Sequence, residues 1–100
     1  MSQVSVVATI TVKDGRGDDL IAAFDGAKDA VQAETGTLMY VLHRNQTDPN
    51  VFYVTELYAD QAALDVHMGG AAIAALGGVG DAIAGLDLQF ATPVSVAKGF

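Results

Sequence analysis

One hundred residues make one small domain, and a chain of that size buries only about 60–65% of its unfolded surface. With 51% hydrophobic and 17% charged residues, a net charge of -7 and no cysteine, the chain excludes disulfides and thiolate metal sites. The acidic balance and the lack of a basic stripe argue against nucleic acid and anionic membrane surfaces as partners.

The first strand is predicted over residues 4–13, where Val4, Val6, Ala8, Ile10 and Val12 share one face and Ser5, Val7, Thr9 and Thr11 the other. Asp14-Gly15 ends it. Gly17, Asp18 and Asp19 open a helix with acids suited to its N-terminal dipole. Leu20, Phe24, Ala27 and Val31 follow at helical spacing, and Gly36 is expected to act as a left-handed stop. Residues 37–45 and 51–58 read as a hairpin whose turn is Thr47-Asp48-Pro49-Asn50. Asp60 is a fitting N-cap for a second helix carrying Ala63, Leu64 and His67 on its inner stripe. Gly69-Gly70 breaks that helix. A short helical piece over 71–76 then leads into a glycine-rich segment, expected to be mobile, that runs to residue 86. A last strand is predicted over 87–97, at an edge or bulged because Pro93 cannot donate to a ladder.

The order strand, helix, strand, strand, helix, strand is the ferredoxin-like α+β plan of one domain, residues 1–100, with helices on one face of a four-stranded antiparallel sheet. The other face carries little charge. Together with a mean hydropathy of +0.34, this predicts a homodimer with that face covered by a second copy. The absence of cysteine staples and of a leader-like N-terminus places the expected protein in the cytoplasm. The longest apolar run, Ala71 to Leu76, falls far short of the ~20 residues a membrane span needs.

No phosphate loop, dinucleotide fingerprint or metal-binding helix motif occurs, so no metal and no cofactor is expected. The unusual polar groups are few. Glu56 lies inside the third strand with Phe52, Val54 and Tyr58 on its own face. A carboxylate there needs a cation, hydrogen bonds within a dimer, or a catalytic use. His67, on an apolar stripe, is either a satisfied core residue or the wall of a cavity, where it would serve as general acid or base. Tyr40, Tyr53 and Tyr58 are packing aromatics with a polar tip. His43 and Arg44, near a strand end, are expected to face solvent.

The spacing Glu34-x-Gly36-x-x-x-Tyr40, then Asp48-x-Asn50-x-Phe52, then Glu56-x-Tyr58-x-Asp60-x-x-Ala63-Leu64-x-x-His67 resembles the antibiotic biosynthesis monooxygenase family. Lys13-Asp14-Gly15 and the Leu20 to Phe24 helix add to the likeness, which runs over residues 4–76. The resemblance implies a dimeric α+β barrel with a ligand cavity between sheet and helices. It also implies that His67 is the cavity-facing catalytic histidine, with Tyr40, Glu56 and Tyr58 at motif positions that either touch substrate or serve as scaffold. Family members include cofactor-independent oxidisers of anthrones and quinols, haem degraders and proteins acting on signal molecules. The haem degraders use a first-strand asparagine, a tryptophan and an axial histidine. This chain has Ala8 and Gly77 near two of those places and no tryptophan at all, so haem degradation is not expected. The reading is a monooxygenase that oxidises a small phenolic or quinol-type substrate with dioxygen. A small-molecule-binding or structural dimer without catalysis, and a small-metabolite isomerase, are the alternatives.

Overall fold

The computed structural model describes residues 2–99. The elements are β1 (Val4–Val12), α1 (Gly17–Gln32), β2 (Thr37–Arg44), β3 (Val51–Tyr58), α2 (Gln61–Met68), α3 (Ala71–Gly78), a 3-10 turn (Gly80–Ala82) and β4 (Ile83–Ala91). The strands form one antiparallel sheet in the order β2-β3-β1-β4, the ferredoxin-like arrangement, with its second helix divided in two.

The alternation in β1 and β3 sets the two faces. Val6, Ala8 and Ile10 stand opposite Glu56, Val54 and Phe52, and all six are buried beneath the helices. α1 lays Leu20, Ala27 and Val31 inward while Asp18 and Asp19 occupy its first turn. Leu20 and Phe24 join Ile10, Phe52 and Val54 in the main core, and Ala27 and Val31 pack on Ala72 of α3. Each large side chain buried this way contributes about 1.5–3 kcal/mol. The opposite face carries Ser5, Val7, Thr9, Met39, Val41 and Thr55, half-buried or exposed.

Three local expectations are corrected. Gly36 is not a left-handed stop, because Gly15, after β1, is the glycine at positive φ (76°). Gly36 is needed for a close approach instead: a Cβ there would lie 2.4 Å from Cβ of Ala63 on α2. The segment after residue 70 carries more regular structure than predicted, as α3 and the 3-10 turn, with Gly77 and Gly78 closing α3 and Gly85 inside β4. The last strand starts and ends earlier than predicted. Its ladder with β1 begins at Val12↔Ile83, passes a bulge, and ends at Ser5↔Ala91, where β1 itself runs out. Pro93 therefore lies past the strand, although β4 is an edge as expected.

Candidate active site

Asp60 accepts a hydrogen bond from the Ala63 backbone N–H at 2.9 Å, capping α2 and fixing its start. Leu64 and His67 then fall three apart on the inner face, while Gln61 and Asp65 stay in water. His67 is 1% exposed. Its ring lies between two tyrosines, with centroids 4.6 Å from Tyr40 and 5.2 Å from Tyr58.

The sequence expectation of a purely apolar setting for this ring is incomplete. Nδ1 lies 2.8 Å from Oε1 of Glu34, in the loop between α1 and β2, and the same oxygen accepts from Thr37 Oγ1 at 2.8 Å. An ionised carboxylate only accepts, so the proton of a neutral ring sits on Nδ1 and the lone pair on Nε2. Nε2 is shut off from solvent and has no hydrogen-bond partner in the protein. Among the described residues it is the one enclosed side-chain polar atom left in that state.

His67 forms part of the wall of a cavity of about 350 Å³ between the sheet and the α2–α3 pair. Val6, Ala8, Ile10 and Val54 make the floor. Met68, Ile73 and Leu76 close one side, and Leu86, Leu88 and Phe90 of β4 line the other. Tyr40 and Glu56 are its other polar residues. Ala8 and Gly77 both line it. The cavity size suits a ligand of one to three fused rings.

Tyr58 does not line this space. It is wholly buried and donates its hydroxyl hydrogen to Oε1 of Glu56, so it acts on the cavity through that carboxyl. Burial raises the pKa of Glu56, against smaller opposing effects of the Tyr58 bond and the nearby His67. Burial also raises Tyr40 and Tyr58 well above the ordinary phenol range, so both hydroxyls stay neutral donors. A larger concavity of about 490 Å³ lies between α1 and β2, lined by Phe24, Lys28, Leu42, Arg44 and Phe52 among others. Its charged groups are substantially exposed and engaged with Asp25 and Asp18, so it lacks the buried acid–base group that marks the first. His43 and Arg44 stand at the end of β2, with His43 exposed and Arg44 over the Phe52 ring.

Glu34 is the partner of His67 that residue-by-residue reading missed. It appears in the spacing that carries the family resemblance, yet nothing local assigns it a partner 33 residues away.

No curated protein matches the chain. PA3566 of Pseudomonas aeruginosa is 24% identical, with 95% of this chain and 97% of that one covered at a TM-score of 0.85. Rv0793 of Mycobacterium tuberculosis is 24% identical over 97% of this chain and 100% of its own, also at 0.85. At that identity these two speak for the fold alone. A Caulobacter crescentus protein provisionally named an antibiotic biosynthesis monooxygenase is 32% identical over 94% of this chain and 92% of its own, at 0.84. The profile described as antibiotic biosynthesis monooxygenase matches residues 3–76, which hold His67, Glu34 and the two tyrosines beside the ring. Strand order, helix pair and motif spacing thus agree with profile and relative, and the chain belongs to the antibiotic biosynthesis monooxygenase family.

Proposed function

We propose that the protein is a cofactor-independent monooxygenase that oxidises a small phenolic or quinol-type substrate with dioxygen, using His67 as general base. One observation carries the reading: a buried imidazole tied at Nδ1 to Glu34, with Nε2 unpartnered, in the wall of an apolar cavity. A core histidine kept only for packing would have both nitrogens satisfied. Nε2 is enclosed in this structure, so a substrate hydroxyl becomes its partner as the wall beside it shifts on binding, and Glu34 holds the ring in the tautomer that can accept the proton. Family membership and the provisionally named Caulobacter relative support the same class of chemistry.

The steps balance with dioxygen as the only co-reactant. Nε2 takes the phenolic proton, and the negative charge spreads to the ring carbon across from the oxygen. That carbon gives electrons to dioxygen and forms a C–O bond, and the imidazolium returns its proton to the peroxide. Nε2 then removes the hydrogen on that carbon as the O–O bond breaks. A quinone carbonyl remains, and the second oxygen leaves as water with the proton from Nε2. The apolar floor excludes water while the anion exists. The neutral hydroxyl of Tyr40, which has no protein partner among the described residues, is a donor on the same wall. We further propose that the working unit is a homodimer.

Oxygen uptake with a panel of quinols, anthrones and simple phenols is the test. Wild type is expected to turn over at least one of them, and His67→Ala to lose about 100-fold or more. Turnover untouched by that substitution would overturn the assigned role. No uptake across the panel would move the protein to the ligand-binding reading.

A further inference from the structure

Glu56 is the acid that the base chemistry leaves unused. It sits mid-sheet in β3, opposite Val6 of β1 and Tyr40 of β2, and its side chain forms part of the cavity wall. No lysine or arginine pairs with it among the described residues. Its one hydrogen bond within the protein comes from the sealed Tyr58 hydroxyl to Oε1. Among the described residues Oε2 has no partner, yet it is not enclosed, since there His67 Nε2 alone is both buried and unpartnered. Oε2 therefore opens on the cavity.

A carboxylate in that wall of Val6, Ala8, Val54 and Leu88 would be a desolvated charge with no lysine or arginine beside it, and the nearby His67 offsets the cost only in part. Burial accordingly favours the protonated form. Tyr58 already donates to Oε1, so the proton belongs on Oε2, where it faces the ligand space. The wall thus presents two complementary groups. Oε2–H of Glu56 faces the ligand space and donates one hydrogen bond, and Nε2 of His67, enclosed just behind the wall in this structure, is the acceptor that a small shift of the wall would bare.

We propose that Glu56 is a neutral carboxylic acid that hydrogen-bonds a second oxygen of the substrate, selecting phenols whose hydroxyl is conjugated with a carbonyl. The inference rests on the monooxygenase reading and deepens it. When His67 takes the hydroxyl proton, charge flows through the conjugated system to the carbonyl oxygen. A donor placed there binds the anion more tightly than the neutral phenol, which is the differential binding that lowers a barrier. A phenol without the carbonyl gains nothing from Glu56.

The probe is lawsone, a hydroxynaphthoquinone whose acidic hydroxyl is conjugated with a carbonyl, and naphthol is the control that lacks the carbonyl. Binding is followed by the visible band of the lawsone anion and by calorimetry for naphthol. Glu56→Leu is expected to weaken lawsone by roughly 10- to 100-fold, the scale of a hydrogen bond to a charged group, and to weaken naphthol far less. Glu56→Gln keeps a donor in its amide and is expected to retain most of the affinity, which separates the lost donor from a damaged fold. Infrared spectra of the ligand-free protein at neutral pH are expected to show a carboxylic-acid carbonyl band that Glu56→Gln removes. Equal lawsone affinity in Glu56→Leu, absence of that band, or failure of wild type to bind lawsone overturns the proposal. None of these readouts needs turnover, so a failure of the monooxygenase reading in the oxygen assay is seen separately.

Discussion

Replacing Glu34 by alanine is the sharpest test of how the site is held together. Oε1 of Glu34 accepts two hydrogen bonds of 2.8 Å, from Thr37 Oγ1 and from His67 Nδ1. Thr37 is half-buried and can turn to water, so losing its bond costs little. His67 is 1% exposed and its Nε2 is already unpartnered, so Glu34→Ala leaves a buried ring with neither nitrogen bonded. Such an orphaned group costs about 1–3 kcal/mol. In a domain of this size each kcal/mol lowers Tm by about 4–8 °C, so the melting point should fall by roughly 4–24 °C. Turnover should fall by roughly 100-fold or more, because nothing then keeps the proton on Nδ1. Glu34→Gln should be milder in stability, since its amide carbonyl can still accept from Nδ1. The assays are thermal melts by circular dichroism and nitrogen NMR of the labelled ring, which reports the protonated nitrogen. A Glu34→Ala protein with the wild-type Tm and the same tautomer would refute the reasoning.

Other substitutions and conditions test other parts. Gly36→Ala brings a Cβ to 2.4 Å from Cβ of Ala63, an overpacking that should cost about 1–3 kcal/mol; an unchanged Tm would show that β2 and α2 part freely. Glu56 holds its proton above the ordinary carboxyl value of 4.5, chiefly through burial. Between that value and the raised one the folded chain binds more protons than the unfolded chain, so stability falls as pH rises through the window. Glu56→Gln removes this loss, and its Tm relative to wild type should climb with pH; parallel melting profiles would contradict the assignment. The exposed Val7 and Val41 on the open sheet face should be covered by a second copy. Sedimentation at micromolar concentration is expected to give twice the 10.3 kDa of the chain, and a clean monomer would sink the dimer.

The parts of the fold that could be read from the chain are those written locally. Alternation in Val4 to Val12 and Val51 to Tyr58, and the three- and four-residue steps of α1, place apolar atoms on one side whatever the rest of the chain does. The end of β4 is different. Pro93 signals an interruption, yet what stops the strand is the end of β1, where Ser5 pairs with Ala91. The start of β4 is equally non-local, since Gly85 weakens a strand by propensity while the ladder from Val12 to Ile83 recruits it. Gly36 has the sequence signature of a helix stop, and only the packing of α2 reveals that it makes room for Ala63.

The site divides along the same line. His67 was legible because Asp60, Ala63 and Leu64 lie within two turns and fix its face. Glu56 was legible as an anomaly, a charge type on an apolar strand face. Glu34 was not, since it stands in a loop among Thr35, Gly36 and Thr37, where an acid is ordinary. What gives it a partner is the meeting of two glycines with α2. Gly36 lets β2 approach Ala63, one helical turn before His67, and Gly70 leaves room for the carboxylate, where a Cβ would stand 2.9 Å from Glu34 Oε2. The spacings Glu34-x-Gly36 and Ala63-x-x-x-His67 are therefore one structural feature written in two places. Each glycine is conformationally ordinary on its own side and becomes specific only when the two segments pack. That is also why a bulky residue at either glycine should disturb the imidazole without touching it, by moving the carboxylate that holds its proton in place.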